Sequence, residues 1–377
     1  MMFLILMVVT ALLYLVEISF YSYAAFCSRQ VGFQRSTSSR WQQRMDIPPK
    51  VSVVVAAKDE EQNLPGCLDS LVKLDYPKGL LEIIIVNDQS CDSTPWIIDN
   101  AANKFGNIKR LDAVGARPDS SLRGKANALS QGIDRATGEF IFLTDADCIV
   151  QPSWIAETLK YFDDDMGIVG GVTLISNVDK VLYGIQAIDW DFLLTVGAGA
   201  ATMGKPVACL GNNLVFRKKA YDEVGGYRKI KFSVTEDFAL FKAIASSNWK
   251  HCYPMDRHTM VETFPLESLK EIYFQRKRWA TGGKDSSLFS FITLAPGFLL
   301  HWLIVTAPLF SLPAFALFFF LKLCTDSLFI LPTLRHYGKI AHLKFILYFE
   351  IYYLIYVAIL PFAVYLGKRV MWKGRKY

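Results

Sequence analysis

The chain reads as an α/β domain, a Rossmann-like parallel sheet with helices on both faces, held between one N-terminal and about three C-terminal membrane helices. Three observations predict this. β-branched runs alternate with stretches of helical length between Val51 and Asp147. Residues 3–26 carry a single charge, Glu17. From Ser287 to Gly367 the chain turns largely apolar again. Together they account for a hydrophobic content of 52% and a mean hydropathy of +0.25 over 377 residues, high for a wholly soluble protein.

Residues 1–27 form the first element, a membrane anchor. The run FLILMVVTALLYLVEISFYSYAAF exceeds the ~20 residues that cross a bilayer, and, unlike a signal peptide, it has no basic residue before it and runs too long. Arg29, Arg35, Arg40 and Arg44 follow before the first acid, Asp46, and the positive-inside rule places that flank in the cytoplasm. Residues 28–50, ending in Pro48-Pro49, read as a basic linker. The net charge of +6 belongs to such flanks and does not point to nucleic acid. Seven scattered cysteines, with no C-x-x-C pair, suggest neither a disulfide framework nor a zinc site. That agrees with a reducing cytoplasm.

Residues 51–265 carry the α/β pattern. VSVVVAA (51–57), LEIIIVND (81–88), IKRLDA (108–113) and EFIFLTDAD (139–147) read as strands, with helices over 61–73, 92–104 and 121–136. In such sheets ligands bind at the carboxyl ends of the strands. Asp88 and the pair Asp145/Asp147 fall at those ends. The stretch 168–262 is mixed, with short apolar runs and Gly-rich turns, and is expected to complete the sheet and build an acceptor surface. Residues 266–286 are helical, amphipathic and rich in Lys, Arg and aromatics, a composition suited to the membrane interface. Within 287–377, spans are expected near 290–311, 312–333 and 345–366. Lys322 and Asp326, one helical turn apart, are expected to pair inside the bundle. Both the 335–344 loop and the tail after Gly367 are basic, so one span between them cannot leave both in the cytoplasm. Either a span is a hairpin or re-entrant, or one flank faces outward.

Three stations carry chemistry. Asp145-Ala146-Asp147 ends an apolar strand, and carboxylates at alternate positions of an extended segment point the same way. They can hold Mg2+ or Mn2+ and, through it, a diphosphate; the alternative is a strand-end turn with solvated acids. Glu236-Asp237 opens the apolar helical run FALFKAI. Asp237 is a candidate base for an acceptor hydroxyl, with a helix-start cap as the alternative. Arg278-Trp279 offers a planar fork for phosphate oxygens and a flat face for a sugar ring. Interfacial anchoring is the competing reading there, and it is strongest for Arg276 and Lys277. Asp88 can bind a nucleobase or ribose or cap the following helix, a job Asp92 or Ser93 can equally fill. Lys125, opening a helix in GKANAL, can touch the donor or simply face solvent.

In this order, VSVVVAAKDEEQNL (51–64), IIIVNDQS (83–90), GKANALSQG (124–132), FLTDADC (142–148), VTEDFAL (234–240) and QRKRWATGG (275–283) resemble the membrane-bound family 2 glycosyltransferases. These include cellulose, hyaluronan and poly-N-acetylglucosamine synthases, ceramide glucosyltransferase and bacterial carotenoid glycosyltransferases. The resemblance spans roughly 50–285. It implies a GT-A fold and an inverting transfer from a nucleotide sugar, usually a UDP-sugar. Glu60, Asp88, Lys125 and Asp145 match its donor-binding positions, and Asp145 and Asp147 its metal and diphosphate pair. Asp237 matches its base, with Glu236 beside it in support, while Gln275, Arg278 and Trp279 match its Q-x-x-R-W clamp. Two positions depart. Asn87-Asp88-Gln89-Ser90 stands where many members have Asp-Asp-Gly-Ser, and Asp59 replaces the commoner Asn.

The expected function is therefore inverting, metal-dependent sugar transfer by a multi-pass protein of a bacterial-type inner membrane, its catalytic domain in the cytoplasm. The acceptor is expected to be a lipid, given the modest membrane portion. A processive polysaccharide synthase is the alternative. A nucleotide-sugar-binding scaffold would lack a bond-making residue, and none is missing. A transporter is disfavoured because no set of long spans surrounds a polar midplane site.

Overall fold

The structure is a computed structural model that describes residues 1–36, 48–115, 122–283, 288–365, 371–372 and 375–376. Four strands make its parallel half: β1 (Val51–Ala57), β2 (Leu81–Asn87), β3 (Ile108–Asp112) and β4 (Phe140–Asp145). They are joined by α2 (Leu64–Val72), α3 (Thr94–Lys104) and α4 (Gly124–Arg135). The sheet order β3-β2-β1-β4 means the chain steps outward from β1, then crosses back to its other side. β1 is thus the switch point, where an α/β sheet opens a crevice. Register makes that crevice flush: Ala57 pairs with Asn87 and Ala56 with Asp145, so three carboxyl ends stop at one level.

Alternation along β1 fills both faces. Val53 and Val55 pack with Leu68, Leu71 and Ile98 on one side, Val54 with Leu129 and Ile133 on the other. All three valines are fully buried, each contributing roughly 1.5–3 kcal/mol. The sheet continues antiparallel through β8 (Leu214–Arg217) to β6 (Met166–Gly170), with β9 (Lys250–Cys252) at the edge. A second sheet of β5 (Cys148–Val150), β10 (Val261–Thr263) and β7 (Thr173–Ile175) starts directly after the Asp145–Asp147 turn. Short helices α5 (Trp154–Leu159), α7 (Lys218–Glu223) and α8 (Gly226–Lys229) fill connections.

The mixed region holds one element its pattern did not announce. α6 (Val181–Thr202) is a 22-residue helix. It is buried on nearly all sides, so it shows no amphipathic stripe to read. It packs against α1 (Met2–Ser36), α12 (Leu312–His336) and α13 (Ile346–Tyr365), joining the soluble domain to the membrane helices.

Among the described residues four helical stretches are long and apolar enough to cross a membrane: Met2–Gln30, Leu288–Leu309, which holds α11 (Leu288–Thr306), Leu312–His336 and Ile340–Phe362. The first helix runs on to Ser36, so the start of the expected 28–50 linker is helical. Arg40, Arg44, Lys368, Arg369 and Lys373 lie outside the described residues. Lys322 and Asp326 pair at 2.6 Å, and Glu350 of α13 adds a second contact at 2.6 Å. The Tyr14 hydroxyl of α1 donates to Asp326 at 2.5 Å, so one buried polar cluster ties three helices. Lys339, in the 335–344 loop, pairs with Glu262 of β10 at 3.5 Å. The strand β11 (Met371–Trp372) returns beside α10 (Leu269–Gly282).

Candidate active site

A cleft of about 510 Å³ lies at the carboxyl ends of β1, β2 and β4. All ten residues singled out from the sequence line it: Glu60, Asp88, Lys125, Asp145, Asp147, Glu236, Asp237, Gln275, Arg278 and Trp279. Each arrives by a local reason. Asp145 is the last residue of β4, and Asp88 follows β2, its N–H donating to the Ala57 carbonyl at 2.8 Å as the ladder ends. Glu60 sits in the turn before α2, where its carboxylate accepts from Asn63 Nδ2 at 3.0 Å. The helix after β2 starts without Asp88, since Asp92 accepts from the Thr94 N–H at 3.0 Å.

The Asp145–Asp147 geometry corrects the sequence reading. β4 ends at Asp145, and Ala146-Asp147 form a turn before β5, so the two carboxylates do not share an extended face. They meet in the cleft because the turn folds Asp147 back toward it. Asp145 Oδ1 already accepts from Lys125 Nζ at 2.5 Å, and Lys125 also faces Glu236 Oε1 at 3.7 Å. Burial pulls the Lys125 ammonium down, but Asp145 and then Glu236 outweigh it and hold the group above its ordinary value. Burial raises the Glu236 carboxyl, with Lys125 opposing.

The base candidate opens α9 (Glu236–Ala245). Asp237 Oδ2 accepts from the Gly211 N–H at 2.7 Å and Oδ1 from the Phe238 N–H at 2.8 Å. Each oxygen keeps a lone pair for another proton. Two glycines make the fit possible. A Cβ on Gly211 would stand 2.7 Å from Asp237 Cβ, and one on Gly282 would overlap Thr235 Oγ1. The second contact docks the end of α10 on the Thr235-Glu236-Asp237 turn.

α10 begins with a capping box, in which Ser268 accepts from the Glu271 N–H at 3.3 Å while Glu271 accepts from the Ser268 N–H at 3.0 Å. The helix is not an exposed interfacial strip along its length. Arg276 and Lys277 are buried, at 3% and 7% exposure, which overturns headgroup anchoring for both. Arg276 instead pairs with Asp189 of α6 at 2.5 Å. Sequence reasoning also missed Gln186 and Trp190 of α6, Asn212, Phe264 and Phe274, all of which line the cleft. An Asp-Trp-Asp run inside an apolar helix was the available signal for the first pair.

Among the described residues no group of three or more His, Cys, Asp or Glu makes a metal cage. Magnesium and manganese commonly take one or two protein carboxylates and fill the remainder with water and phosphate. Asp147 and the second oxygen of Asp145 are that kind of donor set, with Lys125 and Arg278 nearby for phosphate. The residues fit a cation arriving with a diphosphate.

Comparison with known proteins agrees with this layout. A family profile described as glycosyltransferase like family 2 matches residues 48–282. A β-monoglucosyldiacylglycerol synthase of Nostoc sp. is 28% identical over 240 residues, 62% of this chain and 49% of that one. A poly-β-1,6-N-acetyl-D-glucosamine synthase of Staphylococcus aureus is 30% identical over 247 residues, 64% of this chain and 57% of that one. The chain thus spans roughly half the length of these curated relatives. A mannosyltransferase from Pyrobaculum calidifontis, solved with GDP-Man and Mn2+, superposes with a TM-score of 0.54 at 20% identity, covering 88% of this chain and 99% of that one. The likeness assigns a GT-A-like fold.

Proposed function

We propose that this chain, which belongs to the family 2 glycosyltransferases, transfers a sugar from a nucleotide diphosphate donor, UDP-linked by our reading, to the hydroxyl of a membrane lipid, with inversion. The observation that carries the reading is the convergence of a held carboxylate, an acidic pair and two cations on one cleft. Asp237 takes the proton from the acceptor hydroxyl as its oxygen attacks the anomeric carbon. The bond from that carbon to the diphosphate breaks on the opposite side, and Lys125 and Arg278 receive the departing charge. Asp145 and Asp147 would hold Mg2+ or Mn2+, whose chemistry is to neutralise the diphosphate. Asp88 and Glu60 bind the nucleotide end, Glu236 keeps Lys125 in place, and Gln275 and Trp279 meet the acceptor side.

A lipid acceptor is supported by the apolar part of the lining. Ile175, Leu210, Phe264, Leu266 and Phe274 border the cleft beside α6, which itself packs on the membrane helices. A polysaccharide product has its own support, since one of the relatives above is named for it. We assign 51–265 with α10 to the catalytic unit and the remainder to the membrane, with the catalytic side cytoplasmic because Arg29 and its basic neighbours follow the anchor. Incubating membranes with labelled UDP-sugars tests the reading. Label in organic solvent supports a lipid product, label in large insoluble material a glycan synthase, and donor binding without any product a scaffold.

A further inference from the structure

Arg276, for which the sequence favours interfacial anchoring, makes several contacts behind the cleft. Arg276 Nη2 lies 2.5 Å from Asp189 Oδ2, with side-chain exposures of 3% and 12%. Its Nη1 donates to Gln275 Oε1 at 2.9 Å. Its guanidinium stands 4.2 Å from the Trp279 ring centroid and 6.0 Å from that of Trp190. The two indoles meet edge to face, with centroids 5.3 Å apart at 67°. Gln275, Trp279 and Trp190 line the cleft, whereas Arg276 and Asp189 do not.

We propose that Asp189 and Arg276 are a positioning pair, which sets the orientation of Gln275, Trp190 and Trp279 on the acceptor wall without touching substrate. Three physical points carry this. Guanidinium only donates, so its bond to Gln275 Oε1 fixes which way the amide faces and leaves the NH2 as the group presented to a ligand. On a helix, Gln275 and Trp279 sit one turn apart on one face, with Arg276 turned toward α6, so one cation can brace both from behind. The ring stack and edge contact remove rotamer freedom from two aromatic side chains that a bound acceptor would otherwise have to order.

A buried pair can also be mere stability, and the variants are chosen to separate the two. Removing one partner leaves an uncompensated buried charge, whereas replacing both by apolar residues of similar size is often tolerated. Asp189→Asn should therefore lower the melting temperature in detergent, and Asp189→Leu/Arg276→Met should return it close to the parent's. If the pair positions the wall, the double variant remains impaired despite that stability. In 5-fluorotryptophan-labelled protein, the Trp190 and Trp279 fluorine resonances, assigned with Trp190→Phe and Trp279→Phe, shift or broaden, and the other six of the eight tryptophans do not. With UDP-glucose and dioctanoylglycerol micelles, the acceptor KM rises at least tenfold while UDP affinity stays within twofold. Arg276→Lys, which keeps the charge but loses the planar fork, shows the same resonance and KM changes in a folded protein if the double variant fails to fold. A folded variant with parental Trp190 and Trp279 resonances, or with a parental acceptor KM, overturns the proposal. The kinetic arm rests on the transferase reading. A parent that transfers no sugar counts against that reading, and the fluorine arm then decides the positioning claim alone.

Discussion

Replacing Gly211 by alanine tests how tightly the base is held. The Gly211 N–H donates to Asp237 Oδ2 at 2.7 Å, and a Cβ added at Gly211 would stand 2.7 Å from Asp237 Cβ and 2.9 Å from Oδ2. Ordinary contact begins at 3.4 Å, so the pair is about 0.7 Å too close and one side must move. The crowded atom is a Cβ, one bond from the backbone, so rotating the side chain does not relieve it. The carboxylate is also tied to the Phe238 N–H at 2.8 Å. A misplacement of about 1 Å can cost 100-fold in rate, so turnover should fall roughly 10- to 100-fold, about 1.4–2.7 kcal/mol in the barrier. Initial rates of transfer from UDP-glucose, with UDP affinity by calorimetry, measure this. Gly79→Ala and Gly106→Ala are controls, because a Cβ there meets nothing within 4 Å. A folded Gly211→Ala protein with parental turnover would refute the reasoning, as would an equal loss of donor affinity.

Lys322→Met leaves Asp326 and Glu350 buried without their cation, all three side chains being 0% exposed. It should cost about 3–5 kcal/mol, which Lys322→Met/Asp326→Leu/Glu350→Leu largely restores; a melting temperature unmoved by the single change removes the cluster's structural role. Gln89 sits at φ +60°, where glycine carries no Cβ penalty. Gln89→Gly should gain up to about 1 kcal/mol in thermal denaturation, and no gain would mean the position is unstrained. Burial raises the Asp191 carboxyl to about 7, with Lys339 opposing. Its folded value exceeds its unfolded one, so the folded state binds the extra proton, and stability from this group is lost as pH rises from about 4 through about 7. Asp191→Asn should flatten that slope and gain up to roughly 4 kcal/mol at pH 8; an unchanged slope would show that the site does not titrate there.

The parallel half was legible because burial on both faces demands near-continuous apolar runs, and VSVVVAA (51–57), IIIV (83–86) and FIFL (140–143) are such runs. The cleft residues were legible for a related reason: Asp88 and Asp145 mark strand ends, and strand ends make the crevice. α6 escaped because a helix buried all round has no period, and its apolar run broke around Asp189 and Asp191 like a set of short stretches. Arg276 was misjudged because its counterion lies 87 positions away on that unseen helix. No local pattern reports such a partner. The turn at Ala146-Asp147 was read as strand because nothing in DAD itself says where pairing with β1 stops. Register does: Ala56 pairs with Asp145 at the end of that ladder.

In the proposed reaction Asp237 deprotonates an acceptor while the groups around Asp145 hold the donor. Purified protein in lipid vesicles, given labelled UDP-glucose or UDP-N-acetylglucosamine, should pass label into organic-soluble lipid with whichever sugar it accepts. Asp237→Asn should lose that transfer by at least 100-fold and still bind UDP with affinity close to the parent's. Transfer by Asp237→Asn at the parental rate, or UDP binding lost in step with turnover, would contradict that division of roles.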